Sequence, residues 1–452
     1  MQTAGKVGDF PVRPVSEDMP MHSVARTLSF IALMVAAAIH AARSQEVRPE
    51  TTPNTALVNG KWFNGKFFEL RTVYSVGGRF TSEKPTRIDG TLDLAGLWII
   101  PPYADAHNHS IGTGRVELDK IAVRRYLSDG VFYVKMQANI PIDEEIKKRI
   151  GLDQPDSVDA ALAQEAITAS HSHPAELADI FFFPNIYVPG FSKEIYERAS
   201  IGPIDTVEEL DRKWPAILAL KPDFIKAILI YSDEYEKRKN DTSGWIHALD
   251  PRVLTRIVEK AHAALLRVSV HVNTSADFHN ALMSGADEIA HLPLTALAPI
   301  SSEDAELAAM RGVVVDTTCA VVPTLPPFFL PTEDRQQVLK VQVANLKLLH
   351  DYGVKLAIGT DSPPDTSWGE VEYLRSLKVF DDATLLKMWT ETTPQSIFPS
   401  RKIGTLQEGY EASFLALEGN PLEDWKNTHR IRVRFKQGFL MDPRPGFPLA
   451  GE

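Results

Sequence analysis

Five short segments of this 452-residue chain carry cation-binding side chains at, or just past, the ends of apolar runs. They are Ala106-His107-Asn108-His109, Lys226 within Phe224-Ile225-Lys226, His271 after Val268-Ser269-Val270, His291 after Glu288-Ile289-Ala290, and Asp361 after Leu356-Ala357-Ile358-Gly359-Thr360. Each run reads as a strand. A chain that returns potential ligands to the ends of successive strands predicts one site built on the rim of a barrel. Together the six side chains could hold two metal ions, which points to an enzyme and to hydrolysis.

The intervening sequence supports that architecture. Candidate strands are Val131–Met136, Asp179–Phe183, Phe224–Ile230, Val268–Val272, Glu288–His291, Val313–Thr317 and Lys355–Gly359. Helical runs separate them, among them Pro251–Ala264, Glu303–Arg311, Asp334–Asp351 and Asp382–Thr390. Alternation of this kind implies a parallel sheet. With the strand before His107 the count suits an α/β fold of the (β/α)8 TIM-barrel type over 101–400. Within 45–100, the stretch from about Thr55 to Leu97 alternates apolar and polar residues and is punctuated by Asn59-Gly60, Asn64-Gly65 and Gly77-Gly78, which predicts hairpins. The tail 401–452 also reads as short strands, at Gly404-Thr405-Leu406, Gly409–Ser413, Phe414–Leu417 and Ile431–Phe435. The economical expectation is that 45–100 and 401–452 join as one small β-sandwich domain.

A net charge of -11 argues against nucleic-acid binding, and no basic stripe interrupts the acidic balance. The single cysteine, Cys319, excludes an internal disulfide and a thiolate-rich metal site. Residues 1–44 read as an N-terminal extension and signal peptide. From Met21 the chain runs through His22 and Arg26 to an apolar stretch, Leu28–Ile39, and then Ala42-Arg43-Ser44, predicting cleavage after Ser44. That stretch is too short to span a bilayer, so a periplasmic or secreted protein with no membrane span in its mature form is expected.

Each ligand candidate also has a plainer reading. His107 and His109 are two apart, so on a strand both imidazoles face one way and can share a cation. A pair of ordinary histidines can arise by chance, and His171-Ser172-His173 is expected to be one, because it precedes a predicted strand. Asp361 is costly to bury unless it meets a cation, and Lys226 is costlier still among Phe224, Ile225, Ala227 and Ile228.

Asp105-Ala106-His107-Asn108-His109 resembles the first-strand motif of the amidohydrolase superfamily. Lys226, His271, His291 and Asp361 follow in that superfamily's order, and Gly404-Thr405-Leu406 through Asn420-Pro421-Leu422 is similar to its closing β-segment. Asp223-Phe224-Ile225-Lys226 looks like the binuclear prolidase-like and imidazolonepropionase-like members. The resemblance implies that Lys226 is N-carboxylated and bridges two divalent ions, Zn2+ first, with Mn2+, Co2+ or Fe2+ as alternatives. His107, His109 and Asp361 would hold one ion, His271 and His291 the other. A hydroxide shared by the ions would attack an amide or peptide carbonyl. Asp361 would shuttle its proton to the leaving nitrogen, and Tyr231 would offer a phenolic donor to the carbonyl oxygen. The implied partner is a small molecule: a dipeptide, a cyclic amide or a lactone. Two rivals share the fold. A mononuclear deaminase would place a Glu where Thr274 stands and would leave Lys226 idle. An inactive exported binding protein would be expected to have lost a ligand. Oligomeric state is not readable from the sequence.

Overall fold

A computed structural model of the protein describes residues 52–173, 201–240, 247–325, 327, 330–363 and 365–441. The expected leader at Met21–Ser44 and the expected strand Asp179–Phe183 lie outside these residues. No helix among the described residues is long and apolar enough to cross a membrane.

The described residues begin and end in one eight-stranded sheet. Its first strands are β1 (Thr55–Phe63), β2 (Phe68–Val76), β3 (Arg79–Thr81), β4 (Gly90–Asp93) and β5 (Trp98–Ile100). Asn64-Gly65 and Gly77-Gly78 turn the β1–β2 and β2–β3 hairpins, as their composition requires. Asn59-Gly60 does not turn the chain. It is a bulge inside β1, with Asn59 at φ 62 and the register slipping between Leu57 and Gly60.

Nine strands in parallel pairings follow: β6 (Tyr103–Asn108), β7 (Val131–Met136), β8 (Asp159–Leu162), β9 (Ala166–Ile167), β10 (Ile225–Leu229), β11 (Val268–Val272), β12 (Glu288–Ile289), β13 (Val314–Asp316) and β14 (Lys355–Ala357). They form two parallel arcs, β6-β7-β8 and β9-β10-β11-β12-β13-β14. β6, β7, β10 and β11 are buried along their whole length, which explains the mainly apolar sequence of β7 and β10, while β6 buries Asp105, His107 and Asn108. At one flank of the arcs the Ala106 N–H donates to Ile358 O at 2.8 Å. At the other, the Asp223 N–H donates to Leu162 O at 2.9 Å.

The last strands are β15 (Phe414–Leu417), β16 (Ile431–Lys436) and β17 (Phe439–Met441), and β15 pairs antiparallel with β5. The first and last described segments thus share one sheet, held by Trp62, Phe80, Phe414 and Phe435 packed ring to ring. The segments expected as strands at Gly404-Thr405-Leu406 and Gly409–Ser413 are loop, apart from a single bridge between Arg79 and Glu411. Gly404 and Gly409 both have positive φ, which breaks the extended geometry a strand needs.

Candidate metal centre

Strand ends bring the site together. His107 ends the buried run of β6, and Asp361 follows β14. The two meet because the Asp361 N–H donates to His107 O at 2.8 Å and the Thr360 N–H to the same oxygen at 3.1 Å. The approach is close enough that a Cβ on Gly359 would sit 2.5 Å from the His107 Cβ, so only glycine fits there. Asn108 shapes the turn beyond: its Oδ1 accepts from the His109 and Ser110 N–H groups and the Ser110 hydroxyl.

Both imidazoles are oriented from behind. His107 Nδ1 lies 2.7 Å from Ala290 O, and His109 Nδ1 lies 3.0 Å from Ala138 O. A carbonyl only accepts, so each Nδ1 carries a proton there, and the hydrogen bond turns each Nε2 toward Asp361. Those Nε2 atoms lie 3.5 and 3.3 Å from the same Asp361 oxygen, Oδ1. Ligand atoms of His107, His109 and Asp361 all fall within 4.8 Å of one another.

Beyond this trio the imidazoles continue. Ring centroids lie 4.4 Å apart for His107 and His291, 4.3 Å for His291 and His271, and 4.6 Å for His271 and His173. His291 Nδ1 faces the Thr318 hydroxyl at 2.9 Å, and His271 Nε2 faces Asn273 Oδ1 at 3.0 Å. Burial pushes His107, His271 and His291 well below the ordinary histidine range. Lys226 lowers all three further, so they stay neutral with lone pairs to give. Lys226 itself is buried on β10, and its Nζ is a buried donor with no hydrogen-bond partner. Burial brings its pKa down to about 7, against the opposing pull of Asp361, Asp316 and Glu288. The structure thus brings His107, His109, His291, His271 and Asp361 to one end of the parallel strands, whereas Lys226, expected at a strand end, stands at the second position of β10 level with Ser269 and acts on the imidazoles and Asp361 from there. Imidazoles and a carboxylate converging on one point, with a buried unpartnered amine nearby, fit a cation-binding centre.

Tyr231 follows β10 in the left-handed region, φ 49, with its N–H on Asp277 and its ring 4.2 Å beneath the Arg238 guanidinium. Thr274 caps the helix Ser275–Met283 in a capping box with Asp277, a structural use of the position where a deaminase needs a Glu.

The expectation for His171-Ser172-His173 needs correction. Two short strands, β8 and β9, precede it, so the pair follows a strand, and His173 of the two reaches the gathered imidazoles. His173 stacks on His271 with the rings 28° apart. Spacing alone hides this, because β8 and β9 are four and two residues long and leave no periodicity to read.

Beneath the imidazoles the polar floor is also unforeseen. Lys135 pairs with both oxygens of buried Glu288, and Gln137 Nε2 donates to Glu288, to Asp316 and to Ala106 O. Asp316 Oδ2 lies 3.8 Å from His107 Nδ1, and burial followed by the Glu288 charge pushes the Asp316 carboxyl far up.

Residues 231–438 match the family model described as Amidohydrolase family. Over that stretch, a little under half of its length, the chain is similar to the amidohydrolase family. The matched stretch holds His271, His291 and Asp361 and begins after Lys226, so geometry is what ties the first-strand histidines and the lysine to the same site. The ochratoxinase of Aspergillus niger is 30% identical over 189 residues, 39% of this chain and 37% of that protein. The chain therefore aligns with little more than a third of the length of the curated relatives it matches. The crystal structure of A. niger ochratoxinase superposes with a TM-score of 0.68 at 19% identity, covering 88% of this chain and 97% of that one. A prolidase complexed with N-methylphosphonate-L-proline superposes with a TM-score of 0.66 at 17% identity, covering 86% and 99%.

Proposed function

We propose that this protein is a binuclear metal-dependent hydrolase of the prolidase-like branch that cleaves a carbon–nitrogen bond, amide or peptide, in a small substrate. The observation that carries the reading is the buried, unpartnered Lys226 Nζ beside three neutral imidazoles and Asp361. An ammonium left so costs several kcal/mol in any fold that does not use it. As an N-carboxylated anion it would bridge two cations, with His107, His109 and Asp361 around one and His271 and His291 around the other. The ions, zinc by the absence of thiolate and the presence of imidazole and carboxylate, would supply the Lewis acidity that makes water nucleophilic at neutral pH.

The chain's own residues do the rest. Asp361 is half-buried, and its Oδ1 lies between the two Nε2 atoms. It takes a proton at a carboxylate oxygen and delivers it to the leaving nitrogen. Tyr231, on the same rim, offers its hydroxyl to the substrate carbonyl, and His173 presents a further imidazole beside His271. The two parallel arcs are inferred to close into a single eight-strand (β/α)8 barrel, counting β8 and β9 as one passage. The hydrogen bonds at Ala106–Ile358 and Asp223–Leu162 support that closure. Export, read from Met21 to Ser44, would give this hydrolase an extracytoplasmic substrate. The names of the similar proteins direct the first assay toward Xaa-Pro dipeptides, other dipeptides and ochratoxin.

Protein produced with zinc and bicarbonate should hold two ions per chain and hydrolyse at least one of these substrates. Lys226→Ala should lose activity and bound metal, with partial recovery on adding acetate or propionate. Full turnover in that variant refutes the bridging role.

A further inference from the structure

We propose that Thr318, held in a strained conformation by the buried carboxylate of Glu370, is the positioning residue that fixes His291 for metal binding. This rests on the reading of His291 as a ligand. Thr318 follows β13 with φ 42 and ψ 34, in the left-handed region. A β-branched residue is rare there, since Cβ crowds its own backbone, and glycine or asparagine is the ordinary occupant. Nothing in the path of the chain demands threonine at this place, because glycine would adopt the same turn with less strain. Its hydroxyl explains its presence: Oγ1 lies 2.9 Å from His291 Nδ1. Strain of this sort survives where the surroundings over-determine it, and it gathers at working sites.

The surroundings do over-determine it. Glu370, fully buried on the helix Trp368–Ser376, accepts from the Cys319 N–H at 2.9 Å with one oxygen and from the Ala320 N–H at 2.7 Å with the other. Gln342 Nε2 donates to Cys319 O, and the Tyr373 hydroxyl donates to Gln342 Oε1. Donors and acceptor of the turn after Thr318 are therefore clamped from two helices. When His291 ligates through Nε2, Nδ1 carries the proton and Thr318 Oγ1 accepts it, which sets both tautomer and ring angle. Carbonyls do that task for His107 and His109, and for His291 a side chain does.

The test uses the full-length, metal-loaded protein, with zinc affinities read by chelator competition alongside melting of the metal-free form. Thr318→Val keeps shape and strain but removes the acceptor. It should weaken one of two bound ions by roughly tenfold to a hundredfold and leave the other unchanged. Thr318→Ser should restore the wild-type value. Thr318→Gly should weaken the same ion while raising the melting temperature of the metal-free protein, opposite signs that a purely structural threonine would not produce. Glu370→Gln should weaken that ion in the wild-type background and have no further effect beside Thr318→Val. Wild-type affinities in Thr318→Val, or a lower metal-free melting temperature in Thr318→Gly, overturn the proposal. His291→Ala separates the layers. If it binds zinc as wild type does, the ligand reading falls and takes this one with it. If it loses an ion while Thr318→Val does not, only the Thr318 role falls.

Discussion

Lys226→Met should make the metal-free protein more stable. The lysine is buried with an unpartnered Nζ, and its pKa falls from an ordinary 10.5 to about 7. A depression of about 3.5 units corresponds to roughly 5 kcal/mol of penalty on the charged form. The sign follows from proton counts. Below pH 7 folded and unfolded chains both carry the charge, so the whole penalty is felt. Between about 7 and 10.5 the unfolded chain binds more protons, so stability rises with pH. Above 10.5 both forms are neutral and the penalty is gone. Methionine fills a similar volume without a charge, so the variant escapes the penalty at every pH. Urea unfolding of both proteins, stripped of metal and kept free of CO2, should show the variant ahead by about 2–5 kcal/mol at pH 6.5, relaxation taking part of the full figure. The gap should narrow steadily between pH 7 and 10. Equal stability at pH 6.5, or a gap that does not shrink with pH, would refute the argument that this ammonium is buried for use.

Other substitutions probe the remaining parts. Asp361→Asn should lower kcat by roughly a hundredfold or more at saturating substrate, measured by amide-bond turnover. Gly359→Ala forces a Cβ to within 2.5 Å of the His107 Cβ, so chemical denaturation should show a loss of about 1–3 kcal/mol and metal analysis a depleted first site. Lys135→Met leaves Glu288 as a buried unpaired carboxylate, and urea unfolding at pH 7 should show a cost of about 3–5 kcal/mol. His173→Ala should lower kcat/KM and leave the bound metal at the wild-type level, since the ring stacks on His271 rather than sharing the Asp361 oxygen.

How much of this was legible in the sequence follows from element length. β7 and β11 were readable to the residue, because β-branched and aromatic residues crowd them and only Lys135, Ser269 and His271 interrupt the apolar sequence. His107, His109 and Asp361 stood out for a related reason, as polar residues at the ends of apolar runs. His173 was hidden behind strands of four and two residues, with Gln164 turned to φ 61 between them. Thr318 left no mark, since a left-handed threonine looks like any other in one dimension. Glu370 and Gln137 are equally silent: each works through backbone groups or carboxylates more than fifty residues away or across several strands. Asn59-Gly60 misled in the opposite direction, because the positive φ that suits a hairpin suits a bulge as well. Tyr103, at the start of the strand that carries His107, stacks on Trp389 with ring centroids 3.6 Å apart, a packing contact that sequence spacing does not announce.

The His107 carbonyl receives two N–H groups from Thr360 and Asp361, so the ligand trio straddles a junction between segments more than 250 residues apart. A chain still emerging from a ribosome has His107 and His109 long before it has Asp361. A fragment that stops short of Asp361 lacks the carboxylate that both Nε2 atoms face, so this corner of the site is assembled only when the last parallel strand has folded against the first.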